Sequence, residues 1–147
     1  CVIISLMPIP ERDGPQQALW KKAHEAGQIP DLDKLEPSPI LIAGLDYIVE
    51  HFPEHGNTIL SVGCGKGRNE LAMARRGLKV SAFDYVPDVV AILQQRARDA
   101  ELDIDARVSG MDERFPYPDE SFDLTADITS TMSMKTKEGR KNASYAA

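Results

Sequence analysis

The stretch Thr58-Ile-Leu-Ser-Val-Gly-Cys-Gly-Lys-Gly-Arg68 decides the fold that the sequence predicts. A short apolar run ends in three glycines at alternating positions, Gly63, Gly65 and Gly67, and a helical pattern follows. This order predicts a buried strand, a very tight turn and a helix whose first amides point back at the turn. Glycine permits positive φ there and leaves no Cβ between the backbone and a ligand. The stretch therefore predicts a site for a nucleotide-type ligand.

Strands and helices are predicted to alternate around this turn. Patterns typical of strands fill 58–62, 79–83, 104–108 and 122–128, and helical patterns fill 69–76 and a stretch that begins at Pro87 or Asp88. This alternation predicts an α/β domain with a mainly parallel sheet. Because crossovers between parallel strands are right-handed, we expect helices on both faces of the sheet.

Two further helices are predicted before the first strand. One fills 16–26 and carries Trp20, which is either a packing anchor or part of a lid over the ligand. The other begins at Pro39 with Ser38 as its N-cap. Its apolar residues recur at spacings of three and four and predict one stripe against the sheet, made of Leu41, Leu45, Ile48, Val49 and Phe52.

Length, charge and hydropathy limit the function classes. The 147 residues suffice for one domain, which we place at 38–147 after an N-terminal helical and irregular extension at 1–37. A net charge of −6 argues against general nucleic-acid binding, since no basic excess is present to neutralise phosphates. The longest apolar run is far below the roughly 20 residues that span a bilayer, so we predict no membrane segment.

The cysteines and histidines predict neither a disulfide framework nor a metal site. The cysteines are Cys1 and Cys64, and the three histidines are scattered along the chain. We therefore expect a reduced, cytoplasmic setting.

The glycine spacing leaves the ligand open between two nucleotide classes. In the dinucleotide fingerprint Gly-x-Gly-x-x-Gly the sixth position is glycine, whereas here it is Arg68, and Gly67 comes one place early. Asp84 follows at the end of the second strand, where a carboxylate can accept hydrogen bonds from both hydroxyls of a ribose. Tyr85 beside it either lies against an adenine ring or packs in the core.

The residues around the turn resemble a known family. The stretch Ile59-Leu-Ser-Val-Gly-Cys-Gly-Lys-Gly-Arg-Asn-Glu-Leu-Ala-Met-Ala-Arg-Arg-Gly-Leu-Lys-Val-Ser-Ala-Phe-Asp84 resembles the first two motifs of class I S-adenosylmethionine-dependent methyltransferases. Its Gly-Arg-Asn-Glu-Leu-Ala continuation is similar to the tellurite-resistance and thiopurine methyltransferase branch. Phe115-Pro-Tyr-Pro-Asp-Glu-Ser-Phe-Asp123 resembles the segment that leads into the fourth strand of that family. The resemblance covers about 39–128 and implies a Rossmann-like three-layer sandwich that binds S-adenosylmethionine.

The resemblance also implies roles for particular positions. The glycine turn would line the methionine half of the cofactor, with the Gly63 carbonyl near its amino group, and Asp84 would hold the ribose. The acid that faces the adenine is expected at Gly110 or Met111, with Asp112 as a substitute. Asp127, at the end of the fourth strand, faces the methionine end in this family. The cofactor site expected from the resemblance thus comprises Gly63, Cys64, Gly65, Gly67, Asp84, Tyr85, Met111, Asp112 and Asp127.

Methyl transfer mainly requires that the acceptor be held close to the methyl group and in line with it. We therefore expect no catalytic triad, and Asp127 is the one candidate for removing a proton from a small-molecule acceptor. Two alternatives stay open: a non-catalytic domain that binds a nucleotide or this cofactor, and an NAD-dependent oxidoreductase.

The resemblance further implies strands beyond the fourth. Family members continue to a fifth strand and an antiparallel hairpin, so we expect that this chain stops before them and lacks the C-terminal strands. The fourth strand would then be an open sheet edge, which favours self-association.

Overall fold

The computed structural model describes residues 16–28, 34–110, 114–128 and 130, without the side chains of residues 16, 17, 19 and 20. Its helices are α1 (Gln16–Glu25), α2 (Pro39–His51), α3 (Arg68–Arg75) and α4 (Pro87–Asp99). Its strands are β1 (Thr58–Val62), β2 (Lys79–Asp84), β3 (Ile104–Val108) and β4 (Leu124–Asp127). The predictions for Met111, Asp112 and the Trp20 side chain fall outside the described residues, and the division of the chain at residue 37 stays a prediction.

The four described strands form one parallel sheet in the order β3-β2-β1-β4. This confirms the predicted α/β, Rossmann-like class. In the register, Val62 of β1 lies beside Phe83 of β2 on one side and Asp127 of β4 on the other. The carboxyl ends of the three strands therefore meet at one edge of the sheet, which holds the glycine turn.

Three helices pack against the same face of this sheet. Leu45 of α2 and Met73 of α3 cluster with Val80, and Leu93 of α4 clusters with Ala82. Val80 and Ala82 are two residues apart on β2, so both side chains point to the same face.

The opposite face is covered by a loop in the described part of the chain. Phe115, Tyr117 and Phe122 pack there against Leu60 and Phe83. Tyr117 is fixed by its hydroxyl, which lies 2.8 Å from the Ala82 carbonyl oxygen and 2.6 Å from that of Asp105.

Among the described residues the helices lie on one face of the sheet, whereas the sequence predicts helices on both faces. The chain moves from β1 to β2 to β3 in one direction across the sheet, and two right-handed crossovers in one direction place their helices on the same face. The direction reverses only on the return from β3 to β4. The described residues of that return, 109–110 and 114–123, contain no helix.

The apolar stripe of α2 is narrower than predicted. Leu41 and Leu45 are buried, as predicted, but Val49 is 61% and Phe52 is 48% exposed, so their assignment to the core was wrong. The buried side of α2 borders an apolar groove shared with Ile59 and 125–128. Because β4 is the outer strand of the described sheet, no described strand covers the side of α2 that carries Val49 and Phe52. No helix in the described ranges is both long and apolar enough to cross a membrane.

Candidate functional site

The glycine turn has the backbone conformation that its residues predict. Gly63, Gly65 and Gly67 have φ values of 70°, 53° and 88°, which lie in the left-handed region that favours glycine. The amides of Gly63 and Cys64 both donate to the Phe83 carbonyl oxygen, at 2.9 and 3.1 Å. These two main-chain hydrogen bonds therefore hold the turn between β1 and α3 against the end of β2.

Helix α4 supports the turn from the helical face. A Cβ atom at Gly67 would lie 2.2 Å from Leu93 Cδ1, far closer than two carbon atoms can approach. Arg96 Nη1 donates to the Lys66 carbonyl oxygen at 2.8 Å. Gly67 is thus required twice, by its positive φ and by the close approach of α4.

Asp84 connects the turn with the start of α4. Its Oδ2 accepts from the Gly65 amide at 2.8 Å, and its Oδ1 accepts from the Val86 amide at 2.9 Å. Burial raises the pKa of this carboxyl above its usual value, although the amides of Val86, Gly65 and Tyr85 and the charge of His24 act in the opposite direction. A carboxylate has about four acceptor positions in all, so it is fixed in place by these amides and can still receive a hydroxyl group. Tyr85, next to it, is half-buried.

Asp127 ends β4 beside the turn, where the sequence analysis expects it. Its Oδ1 accepts from the Ser130 amide at 2.9 Å, and the Ser130 hydroxyl lies 3.4 Å from the Gly63 carbonyl oxygen. The structure thus brings Gly63, Asp84 and Asp127 to one edge of the sheet. Sequence reasoning missed Ser130; the available signal was an Asp and a Ser close together at the end of a strand, because these residue types favour turns.

Cys64 contributes only its main chain to the turn surface. Its side chain is 8% exposed and packs in the cluster that includes Ala82 and Leu93. Burial raises the pKa of its thiol well above the usual range, and Glu70 and Asp84 add to that shift. The thiol is therefore neutral and faces the core.

A buried polar pair that joins β1 to α3 was not predicted. Ser61 of β1 donates a hydrogen bond to Glu70 Oε1 of α3, and the two residues are 5% and 2% exposed. The available signal was a glutamate in the first turn of a helix whose neighbours Leu71 and Met73 are core residues.

Helix α1 adds a histidine close to the site. Burial lowers the pKa of His24, and the charge of Asp84 opposes that shift. The helix is held at Ala23, which is 1% exposed. No sequence pattern indicated this neighbour, because 60 positions separate His24 from Asp84.

Comparison with known proteins decides between the ligand classes. The family model described as a methyltransferase domain matches residues 59–144, more than half of the 147 residues. This chain belongs to the methyltransferase domain family. The family implies S-adenosylmethionine as the cofactor, in agreement with the resemblance seen in the sequence.

Curated relatives match the same part of the chain. A ubiquinone biosynthesis O-methyltransferase from Xylella fastidiosa is 30% identical over 82 residues, which cover 56% of this chain and 33% of that protein. One of the same name from Xanthomonas campestris is 33% identical over 79 residues, which cover 54% of this chain and 33% of that protein. The matched stretch thus spans about a third of the length of these relatives.

Solved structures share the fold. A protein studied for the conversion of a disulfide bond into a thioacetal during echinomycin biosynthesis superposes with a TM-score of 0.68 at 19% identity, covering 87% of this chain and 53% of that one. A candidate S-adenosyl-L-methionine-dependent methyltransferase from Methanococcus maripaludis gives 0.64 at 18%, covering 94% and 62%. The (4+2)-cyclase SpnF gives 0.59 at 25%, covering 71% and 40%.

The residues at the turn fit the implied cofactor. Asp84 is held by two amides and keeps acceptor positions for a pair of ribose hydroxyls. Gly65 lies beside the Asp84 carboxylate and has no Cβ. A Cβ at Gly63 would lie 2.1 Å from Ser130 Oγ, so the side chain of Ser130 occupies that space. Among the residues that the structure describes, no three His, Cys, Asp or Glu side chains are grouped so that they could hold a metal ion.

Proposed function

We propose that this chain forms the cofactor-binding part of an S-adenosylmethionine-dependent methyltransferase that acts on a small molecule. One observation supports this most strongly. The Asp84 carboxylate is fixed by the Gly65 amide of the glycine turn and lies at the carboxyl end of β2. A pre-positioned acid beside a glycine turn suits a nucleoside with two adjacent hydroxyls, because each hydroxyl can donate to one oxygen.

The side chains at the edge of the sheet divide the work of binding. Asp84 receives the ribose hydroxyls, and the half-buried Tyr85 provides a ring beside it. Gly65 leaves room for the methionine end because it has no Cβ. Asp127 lies next to Gly63 through its pairing with Val62. When bound, the cofactor supplies an electrophilic methyl group on a positively charged sulfur. The contribution of the protein is to align the acceptor and to exclude water.

For the acceptor we propose an oxygen atom of a small molecule. The support is that both curated relatives described above are named O-methyltransferases. We also propose that the region of the glycine turn groups with the tellurite-resistance and thiopurine branch, a grouping that concerns the cofactor turn and not the acceptor atom. Its support is the continuation Gly67-Arg-Asn-Glu-Leu-Ala72, with Arg76-Gly77 before β2.

Titration calorimetry with S-adenosylhomocysteine, S-adenosylmethionine and NAD tests this function. We expect binding of the first two and none of NAD. Asp84→Ala should weaken binding by about tenfold, because it removes the acceptor for two hydroxyl groups. Asp103→Ala, at an exposed position between α4 and β3, is the matched control and should bind like the wild type. Binding of NAD alone would overturn the proposal.

A second function, cofactor binding without methyl transfer, is favoured by one observation. The structural neighbour SpnF, at 25% identity, is described as a (4+2)-cyclase. Incubation with methyl-labelled cofactor and a panel of phenols and catechols separates the two functions. Transfer of label to any acceptor supports the methyltransferase, whereas binding without transfer to any of them supports the binding domain.

A further inference from the structure

The buried pair Ser61–Glu70 joins β1 to α3, the two elements that flank the glycine turn, and the charge of Glu70 acts on the Cys64 thiol of that turn. Ser61 stands two residues before Gly63, and Glu70 stands three residues after Gly67. The Ser61 hydroxyl donates to Glu70 Oε1. Oε2 of the same carboxyl is buried and has no hydrogen-bond partner among the residues that the structure describes. Burial of an unpaired oxygen disfavours the ionised form of the carboxyl. The protonation state of Glu70 therefore depends on the charges placed near it.

The charges that face Glu70 come from three directions. Asp84 on β2 opposes the ionisation of Glu70, and Arg68 on the same helix as Glu70 favours that ionisation. The Cys64 thiol in the turn is neutral. Burial, the largest effect, raises the pKa of Glu70 to about 7, and the hydrogen bond from Ser61 limits the rise. At neutral pH the carboxyl is therefore divided between its neutral and charged forms.

We propose that Glu70 is a positioning group that gives up its proton when a positively charged cofactor occupies the adjoining glycine turn. This inference rests on the proposed function. The methyl donor carries a sulfonium charge, whereas its thioether product does not. A carboxylate in a low-dielectric interior attracts such a charge much more strongly than one in water does. The proton of Glu70 passes to the solvent on binding of the donor and returns when the sulfur has become neutral.

The consequence is a pH-dependent preference for donor over product. As the pH rises through the titration of Glu70, more of the protein carries the negative charge before any ligand binds. The ratio of the product dissociation constant to the donor dissociation constant should therefore increase several-fold between about pH 6 and about pH 8. A carboxyl that is merely structural would leave this ratio flat.

Calorimetry in two buffers of different ionisation enthalpy counts the released protons directly. At neutral pH, donor binding to the wild type should release about half a proton, because Glu70 is then about half protonated. Product binding should release clearly less. Glu70→Gln keeps the shape and an acceptor for Ser61, and should abolish the difference between the two ligands. Glu50→Gln, on the exposed surface of α2, is the matched control and should retain it.

A second variant keeps the test sharp if Glu70→Gln fails to fold. Ser61→Ala removes the hydrogen bond that favours the charged form, so proton release by donor binding should persist with its maximum at higher pH. Equal proton release for donor and product in the wild type would overturn this inference and leave the proposed function standing. Absence of any donor or product binding would overturn both.

Discussion

Two aspartates lie at opposite edges of the same sheet and distribute their hydrogen bonds over the two carboxylate oxygens differently. Asp123, at the amino edge, accepts at Oδ2 from the amides of Asn57 and Thr58, at 3.1 and 3.0 Å, and from the Thr58 hydroxyl at 2.6 Å. Asp84, at the carboxyl edge, accepts one amide on each oxygen. Each carboxylate connects its own strand end to a backbone segment that is distant in sequence.

The surroundings of the two carboxylates give them different roles. Asp123 is exposed, and its hydrogen bonds from Thr58 lower its pKa. Asp84 is half-buried, and burial raises its pKa despite its two amide donors. Asp123 is thus a tie between strand ends whose hydrogen bonds from Thr58 outweigh the effect of its desolvation. Asp84 bears a cost that hydrogen bonds from a ligand would relieve, which is the behaviour expected of a binding residue.

Among the substitutions at the carboxyl edge of the sheet, Gly67→Ala should give the largest loss in the free energy of unfolding. It forces an L-residue to a φ of 88° and places a Cβ 2.2 Å from Leu93 Cδ1. We expect a loss of about 3 kcal/mol in the free energy of unfolding, the sum of backbone strain and overpacking. Gly77→Ala is the matched control, because it has a φ of 87° and nothing within 4 Å of a Cβ. Urea unfolding that gives equal losses for both variants would show that α4 does not press on the turn.

The titration of Glu70 should give the next largest effect. Its folded-state pKa lies above its unfolded-state value, so the folded protein binds more protons between these two pKa values. The contribution of this carboxyl to stability is therefore fully present below about pH 4 and is lost as the pH rises through its folded pKa of about 7. We expect a loss of roughly 2 kcal/mol between about pH 5 and about pH 8, absent in Glu70→Gln. Denaturation curves give the free energy of unfolding of both proteins at the two pH values. An equal change with pH in the wild type and in Glu70→Gln would exclude a buried neutral carboxyl at this position.

Asp123 should show the opposite and smallest pH dependence. Because its folded-state pKa is lowered, its contribution is present above the unfolded-state pKa and is lost as the pH falls through the folded-state value. Asp123→Asn should lower the melting temperature at neutral pH by a few degrees and have little effect at low pH. Thr58→Val provides a check from the other partner, since it removes the hydroxyl that bonds the same oxygen. An unchanged melting temperature in both variants would mean that this tie does not stabilise the fold.

The strand, turn and helix around the glycines could be predicted because their signals are local. The glycines, the apolar run of β1 and the acid at the end of β2 each follow from neighbouring residues, and the structure has β1 and β3 at the predicted bounds. The predicted Gly77 stop of α3 is also local. Its amide and that of Leu78 turn back to carbonyl oxygens of the last helical turn.

The contacts that sequence reasoning missed join distant positions or depend on the layer order. Asp123 reaches Thr58 across 65 positions, and Ser130 reaches Gly63 across 67. The exposure of Val49 and Phe52 depends on where the described sheet ends, which no helical periodicity encodes. The covering of one sheet face by Phe115 and Tyr117 follows from the strand order, which became known only with the structure.

The most direct test of the account compares the two aspartates in one experiment. Asp84→Asn and Asp123→Asn are each titrated calorimetrically with S-adenosylhomocysteine, at a temperature where both variants are folded. We expect that Asp84→Asn weakens binding by about tenfold, while Asp123→Asn binds like the wild type. Wild-type affinity in Asp84→Asn, or an equal loss in both variants, would contradict the claim that the carboxyl edge at Asp84 is the cofactor site.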